Sequence, residues 1–465
     1  QYFPTTPSNE LHSSRPAPKC RELTPANQPS IFDPGIAFAD CYSQTGTVLK
    51  YDIERVIPHA WKNVTALIAI WALAVLIILP AVFHWPATTP HYGLDRYFRI
   101  GALYALVAAM AYLMYRVECR SLAKSQAFGL IFLIFLLTSV VNHFHSSLVD
   151  HGPSYFGFVS NVQWQIDMHN AVIKLSPAAV PHSYRFLPNA FVRWLQIWHL
   201  DFEFSRDFYR LMFGVLLFYA IYRYARLYTG FSGAVVALAL SAVIYPISFE
   251  NYAGQLTDPM AHVAFVLALI FLQTEDFGLF LSTLLIGSLA KETVLAMAGY
   301  YLLFHRRDAK YGARAVALAV LCPLTYLGVH LYVLNHGGHP AGGSGVSRII
   351  TDRTWVAILD TNLKDARWPA AVLLTGFALT PFLLVSWRTT PKSLKYAAVY
   401  VLIVVSLSNL FFSWLVETRN LMPAVFVLAV VAGRFVTGDV AQAEERGSLA
   451  ETKSQHYAAS TARTG

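Results

Sequence analysis

The stretch Ser288-Leu289-Ala290-Lys291-Glu292-Thr293 sets a lysine beside a glutamate near the middle of an apolar run from Gly278 to Phe304. Ionisable side chains in such surroundings are costly in hydrocarbon, and where they occur they mark substrate paths, proton relays or ion pairs. Further charges stand at the ends of other apolar runs: Asp150, Glu250, Asp258, Glu417 and Arg419, with Arg185 in a long intervening loop. Carboxylates can take a proton or orient a cation, and lysine and arginine can hold an anion. Each residue also has a plainer reading. Asp258 precedes Pro259 and suits a helix cap. Asp150 suits a solvated loop carboxylate, and Glu417 with Arg419 a salt bridge at the rim. Lys291 and Glu292 are adjacent, so they point in different directions and need not pair.

Histidine adds a second kind of chemistry. The stretch "NHFHSSLVDH" offers His143, His145 and His151 beside Asp150, ligand types suited to a divalent metal such as Mg or Mn. Their spacing matches no tight metal motif. The glycines of "NHGGHPAGGSG" (335–345) precede no strand–helix unit, so they read as a flexible loop and not as a phosphate cradle.

These residues must be positioned by membrane helices. Hydrophobic residues make up 55% of the chain and charged ones only 13%, about half the share usual in a soluble protein. Repeated uncharged windows of about 20 residues match the length that crosses a bilayer. The fold class expected is therefore all-α, a polytopic transmembrane helical bundle. Clear spans fall at about 64–84, 100–115, 127–142, 207–222, 232–248, 259–273, 315–334, 369–387, 396–414 and 421–436. The run 278–305 supplies one more or two.

The basic loops decide that number. Arg116, Arg120 and Lys124, then Arg223 and Arg226, then Arg306, Arg307, Lys310 and Arg314, then Arg388, Lys392 and Lys395 share one side only if 278–305 crosses twice. This gives about twelve spans, with a short hairpin near 278–305 whose tip carries Lys291 and Glu292 on the outer face. Both termini are then cytoplasmic. The net charge of +8 reflects this positive-inside pattern and not nucleic-acid binding. The four cysteines imply no disulfide framework, and the polar start reads as no signal peptide.

Residues 1–62 read as an irregular cytoplasmic tail, 63–437 as the transmembrane domain and 438–465 as a disordered cytoplasmic tail. The outer face holds loops 143–206 and 335–368. Within the first, Leu187, Phe191, Trp194, Leu195 and Trp198 recur at helical spacing. They predict an interfacial helix lying on the membrane surface or packed flat against the bundle. That loop also offers an aromatic surface for a protein partner.

Four stretches resemble the GT-C superfamily of multi-spanning glycosyltransferases: "VDHGPSYF" with Asp150 and Tyr155, "PHSYRFLP" (181–188), "GQLTDP" (254–259) with "AKET" (290–293), and "ETRNLMP" (417–423). The likeness runs over about residues 127–436. It implies transfer of a sugar from a polyprenyl-phosphate donor, a membrane lipid, to an acceptor glycan, lipid or protein on the outer face of a bacterial inner membrane. It also implies an inverting reaction with Asp150, or Asp258 second, as the base. Arg185, Lys291 and Arg419 would hold the lipid phosphate, with Glu292 and Glu417 orienting those cations and Tyr155 nearby. Many members carry two adjacent acidic residues in the first outer loop, whereas Asp150 is followed by His151. Two other readings stand beside this one: a transporter or flippase of a lipid-linked or anionic substrate, and a non-catalytic membrane subunit that binds a partner.

Overall fold

The structure is a computed structural model and describes residues 93–152, 160–176, 182–249, 254–306, 308, 310–336, 354–365, 367–413, 415 and 417–438. The two tails (save Gly438), the span expected at 64–84, Glu250 and Tyr155 lie outside the described residues. So does most of the glycine-rich stretch at 335–345. Every element among the described residues is helical. Six helical segments among the described residues are long and apolar enough to cross a membrane: Leu94–Glu118, Lys124–Asp150, Phe231–Phe249, Tyr311–His336, Lys392–Phe411 and Thr418–Val436.

In chain order the helices are α1 (Leu94–Glu118), α2 (Lys124–His145), α3 (Asn161–Ile173), α4 (Phe186–Ile197) and α5 (Phe202–Arg226). Then come α6 (Phe231–Ile244), α7 (Thr257–Gln273), α8 (Phe277–Ser288), α9 (Ala296–Phe304) and α10 (Tyr311–His336). The last five are α11 (Thr354–Lys364), α12 (Trp368–Leu374), α13 (Thr380–Val385), α14 (Lys392–Phe412) and α15 (Met422–Val436). The post of the bundle is α15. From Met422 to Ala432 its residues are 0–1% exposed or fully enclosed, as expected of a helix that is apolar all round. It packs most extensively against α6. The approach is close because Gly433 faces the backbone of Gly233, where a Cβ would lie 2.3 Å from the Gly233 carbonyl oxygen.

Helix α1, the least buried of these six long segments, is tied at both ends. Near its start, Arg96 donates to Asp201, whose other carboxylate oxygen caps α5 by accepting from Phe204 N–H at 2.7 Å. At its last residue, the buried Glu118 accepts from Arg223 and Tyr219, both at 2.9 Å, on the final turns of α5. Two clamps on one partner helix fix the position of α1 along it.

The structure corrects several sequence expectations. The third span does not stop near 142: α2 continues to His145 and then widens into one π-helical turn, Ser146–Asp150, which carries Val149 and Asp150 inside. Residues 369–387 do not form one span. The break falls at 375–379, around Gly376, and Pro381 stands in the first turn of the helix that follows, where its missing N–H costs nothing, leaving α12 and α13. Loop 143–206 contains α3 as well as α4. Helix α4 packs on the bundle, with Leu187, Phe191 and Leu195 buried beneath it. As expected, the run 278–305 is two short helices, α8 and α9, separated by an extended Lys291 and a 3-10 turn at Glu292–Leu295.

Candidate functional site

Four separate segments deliver charged side chains to one place. The first is the start of α7. Tyr209, fully buried in α5, donates to the Leu256 carbonyl at 2.6 Å and accepts from Met260 N–H at 3.3 Å, which pins the first turn carrying Asp258. Asp258 does not cap that helix; its carboxylate turns away to meet two cations. The second segment is the break after α8. Ala290 and Lys291 donate backbone N–H to Gly287, closing the turn that aims Lys291 inward. The third is the short turn His182–Tyr184 with Arg185, joined to the second by the Leu187 N–H, which donates to the Leu289 carbonyl at 3.2 Å. The fourth is the 3-10 turn Thr418–Leu421 ahead of α15.

The contacts are specific. Lys291 Nζ donates to Asp258 Oδ1 at 2.8 Å and to the side-chain oxygen of Asn420. Arg419 donates to Asp258 Oδ2 at 2.6 Å and to Glu417 Oε2 at 3.0 Å. Arg185 grips Glu292 with a two-pronged fork, Nε to Oε2 at 2.8 Å and a second guanidinium nitrogen to Oε1. Three cations thus face three carboxylates. Lys291 and Arg419 are 5% exposed and Asp258 3%. His182 lies beside Arg185 and Arg419. Burial and those two guanidiniums lower its pKa to about 3, so it is neutral near pH 7 and leaves the balance unchanged.

Six residues marked in the sequence, Arg185, Asp258, Lys291, Glu292, Glu417 and Arg419, are therefore brought together. Asp150 is not among them. Its side chain is fully enclosed, accepting from Arg210 at 2.7 Å and Gln165 at 2.9 Å, with Arg206 at 3.3 Å. Its partners are buried, and none of them belongs to the Asp258 cluster, so the two aspartates expected as first and second choice of base stand in separate groups. Arg206 and Arg210 were passed over in the sequence, although their i, i+4 spacing at the start of α5 places both on one face.

No group of three His, Cys, Asp or Glu side chains among the described residues converges as metal ligands. His143 and His151 are exposed, and His145 approaches Asp150 only to 3.9 Å. With two guanidiniums already on Asp150, the donor set does not fit a divalent cation.

A cavity of about 30 Å³, room for a water or two, lies between the two charged groups. Its lining includes Asn142, His145 and Arg210 on one side and Asp258, His262 and Arg419 on the other. A second cavity of about 60 Å³ is lined by apolar Phe265, Val294, Val404 and Val405 together with polar side chains that include Lys291, Asn409 and Asn420.

Set against protein-family models, curated proteins and solved structures, the chain matches none.

Proposed function

We propose that the chain is a membrane glycosyltransferase that moves a sugar from a polyprenyl-phosphate donor to an acceptor at the outer membrane face. On this reading the short helices complete a GT-C-like bundle of about twelve spans with cytoplasmic termini, in a bacterial inner membrane. The observation that carries it is the meeting of Asp258 with Lys291 and with Arg419, the latter 161 residues away, beside the Arg185–Glu292 pair. Cations gathered beside a carboxylate are what the chemistry needs. The acceptor oxygen forms a bond to the anomeric carbon as its proton passes to the carboxylate. The bond from that carbon to the phosphate oxygen breaks, and its electron pair leaves with the lipid phosphate, held by the cations.

Asp258 is the proton acceptor in this proposal, since it alone of the two aspartates shares a cluster with the cations. Lys291 and Arg419 hold phosphate oxygens, while Glu417, Asn420 and Glu292 orient the cations. The apolar lining of the second cavity suits the first part of a lipid chain.

The test is native mass spectrometry of the purified chain with a polyprenyl-phosphate sugar, together with a sugar-transfer assay. Lys291→Ala and Arg419→Ala should each weaken lipid binding, and Asp258→Asn should abolish transfer. Unchanged binding in both cation variants would remove the phosphate from this site. A transporter is the second reading, favoured by the interrupted helices α8–α9 and α12–α13. It predicts substrate movement across vesicles with no sugar transferred.

A further inference from the structure

The three cations and three carboxylates of the cluster balance, so an approaching anion meets no net positive charge there. A phosphate cannot simply add to it; it must take cations that are already engaged. The hydrogen bonds show which ones can be taken. Lys291 and Arg419 each have a second partner besides Asp258, Asn420 for the lysine and Glu417 at 3.0 Å for the arginine. Each would keep its place if Asp258 let go. Arg185 differs, since both of its bonds run to Glu292 in one fork. Asp258 bridges the two tethered cations with one oxygen on each, at 2.8 and 2.6 Å. Their separation and aim are those that two oxygens of a single anion require.

We propose that Asp258 is a masked carboxylate: it occupies the anion seat formed by Lys291 and Arg419, and a phosphate-bearing lipid competes with it for those two cations. The inference rests on the reading of this site as a lipid-phosphate site and adds its order of events. While Asp258 bridges the cations, its oxygens are engaged and cannot accept a substrate proton. Phosphate oxygens that replace it leave the carboxylate released beside the bound donor. There it takes the proton of the acceptor hydroxyl as that oxygen bonds to the sugar, and the lipid phosphate departs with the electron pair. Donor binding thereby switches on the base. The adjoining cavity, lined by Asn142 and His262, gives the displaced carboxylate somewhere to turn.

The experiment measures binding of a polyprenyl phosphate, and of the uncharged polyprenol as control, to the full chain in detergent. Asp258→Asn removes the competing charge and keeps the shape. It should bind the phosphate at least about tenfold tighter than wild type, with polyprenol binding unchanged. Equal or weaker phosphate binding overturns the proposal. Asp258→Ser, smaller and equally uncharged, serves if Asp258→Asn does not fold. It should also tighten phosphate binding, and unchanged or weaker binding there overturns the proposal. Two outcomes separate this inference from the functional reading beneath it. If wild type binds the phosphate and neither variant binds it tighter, only the masking fails. If the variants bind tighter and wild type transfers no sugar, the masking stands and the glycosyltransferase reading fails.

Discussion

Arg210 donates to Asp150 at 2.7 Å inside the bundle, and Arg206 and Gln165 close on the same carboxylate. Asp150 thereby locks the π-helical turn after α2 to α3 and α5. Removing one partner of such a buried group leaves uncompensated charge, at a cost of about 3–5 kcal/mol. Asp150→Asn should therefore unfold at a markedly lower temperature, while the fraction that remains folded binds polyprenyl phosphate as wild type does. Lost binding with unchanged thermal stability would return Asp150 to the site.

Gly287 tests the turn that aims Lys291. A Cβ there would lie 2.7 Å from the Ala264 side chain and 2.9 Å from that of Val294. Gly287→Ala must push α8 from α7 or displace the 3-10 turn, costing about 1–3 kcal/mol, and it should also weaken lipid-phosphate binding. Gly101, with open space around it in α1, is the control: Gly101→Ala should leave both properties intact or raise stability slightly.

Asn362 holds the far edge of the site. Its amide nitrogen donates to the carbonyls of Leu410 and Ser413 at 2.9 and 2.8 Å, and its oxygen accepts from Leu415 N–H at 2.9 Å. It thus fixes the chain between α14 and Glu417. Asn362→Leu strands several buried backbone groups, each costing about 1–3 kcal/mol. Hydrogen exchange at residues 410–420 should rise by more than tenfold while exchange in α6 and α7 stays slow. Uniform protection across the chain would contradict this anchoring role.

His169 sets a pH dependence. Its ring is 1% exposed in α3, between Asn189 at 3.1 Å and Gln196 at 3.0 Å, and burial lowers its pKa to about 4. The unfolded chain takes up this proton near pH 6.5, so between about 6.5 and 4 the unfolded state binds more protons than the folded one. Stability should fall as pH drops through that window, by about 3 kcal/mol from this residue. His169→Gln should lose that share of the pH dependence in thermal unfolding. An unaltered profile would mean the ring charges freely in the folded protein.

Much of the site could be read from residue types, because Lys291, Asp258 and Arg419 stand beside long apolar runs where a charge needs a reason. Their pairing could not. Asp258 and Arg419 meet across 161 residues, and nothing in either local sequence names the other. Asp150 looked equivalent to Asp258 for the same cause: both follow or begin an apolar run, and only packing shows which one meets two buried arginines. Hydropathy alone makes 369–387 a single span, whereas Gly376 marks the break and Pro381 the first turn of the helix after it. Helix α3 escaped notice because its buried face is built from Asn161, Gln165 and His169 as much as from Val172 and Ile173, so no apolar stripe announces it.

The division of the cluster into partners bears on how the chain is made. Lys291 follows Asp258 by 33 residues, and at roughly 5–20 residues per second the pair can neutralise itself within seconds of synthesis. Glu292 emerges with it and meets Arg185, which is 107 residues older. Arg419 comes last, but Glu417 precedes it by two positions and travels with it as a ready counter-ion. Each late arrival brings or finds an opposite charge at once, so no single ion waits alone in the lipid for the final helix to be translated.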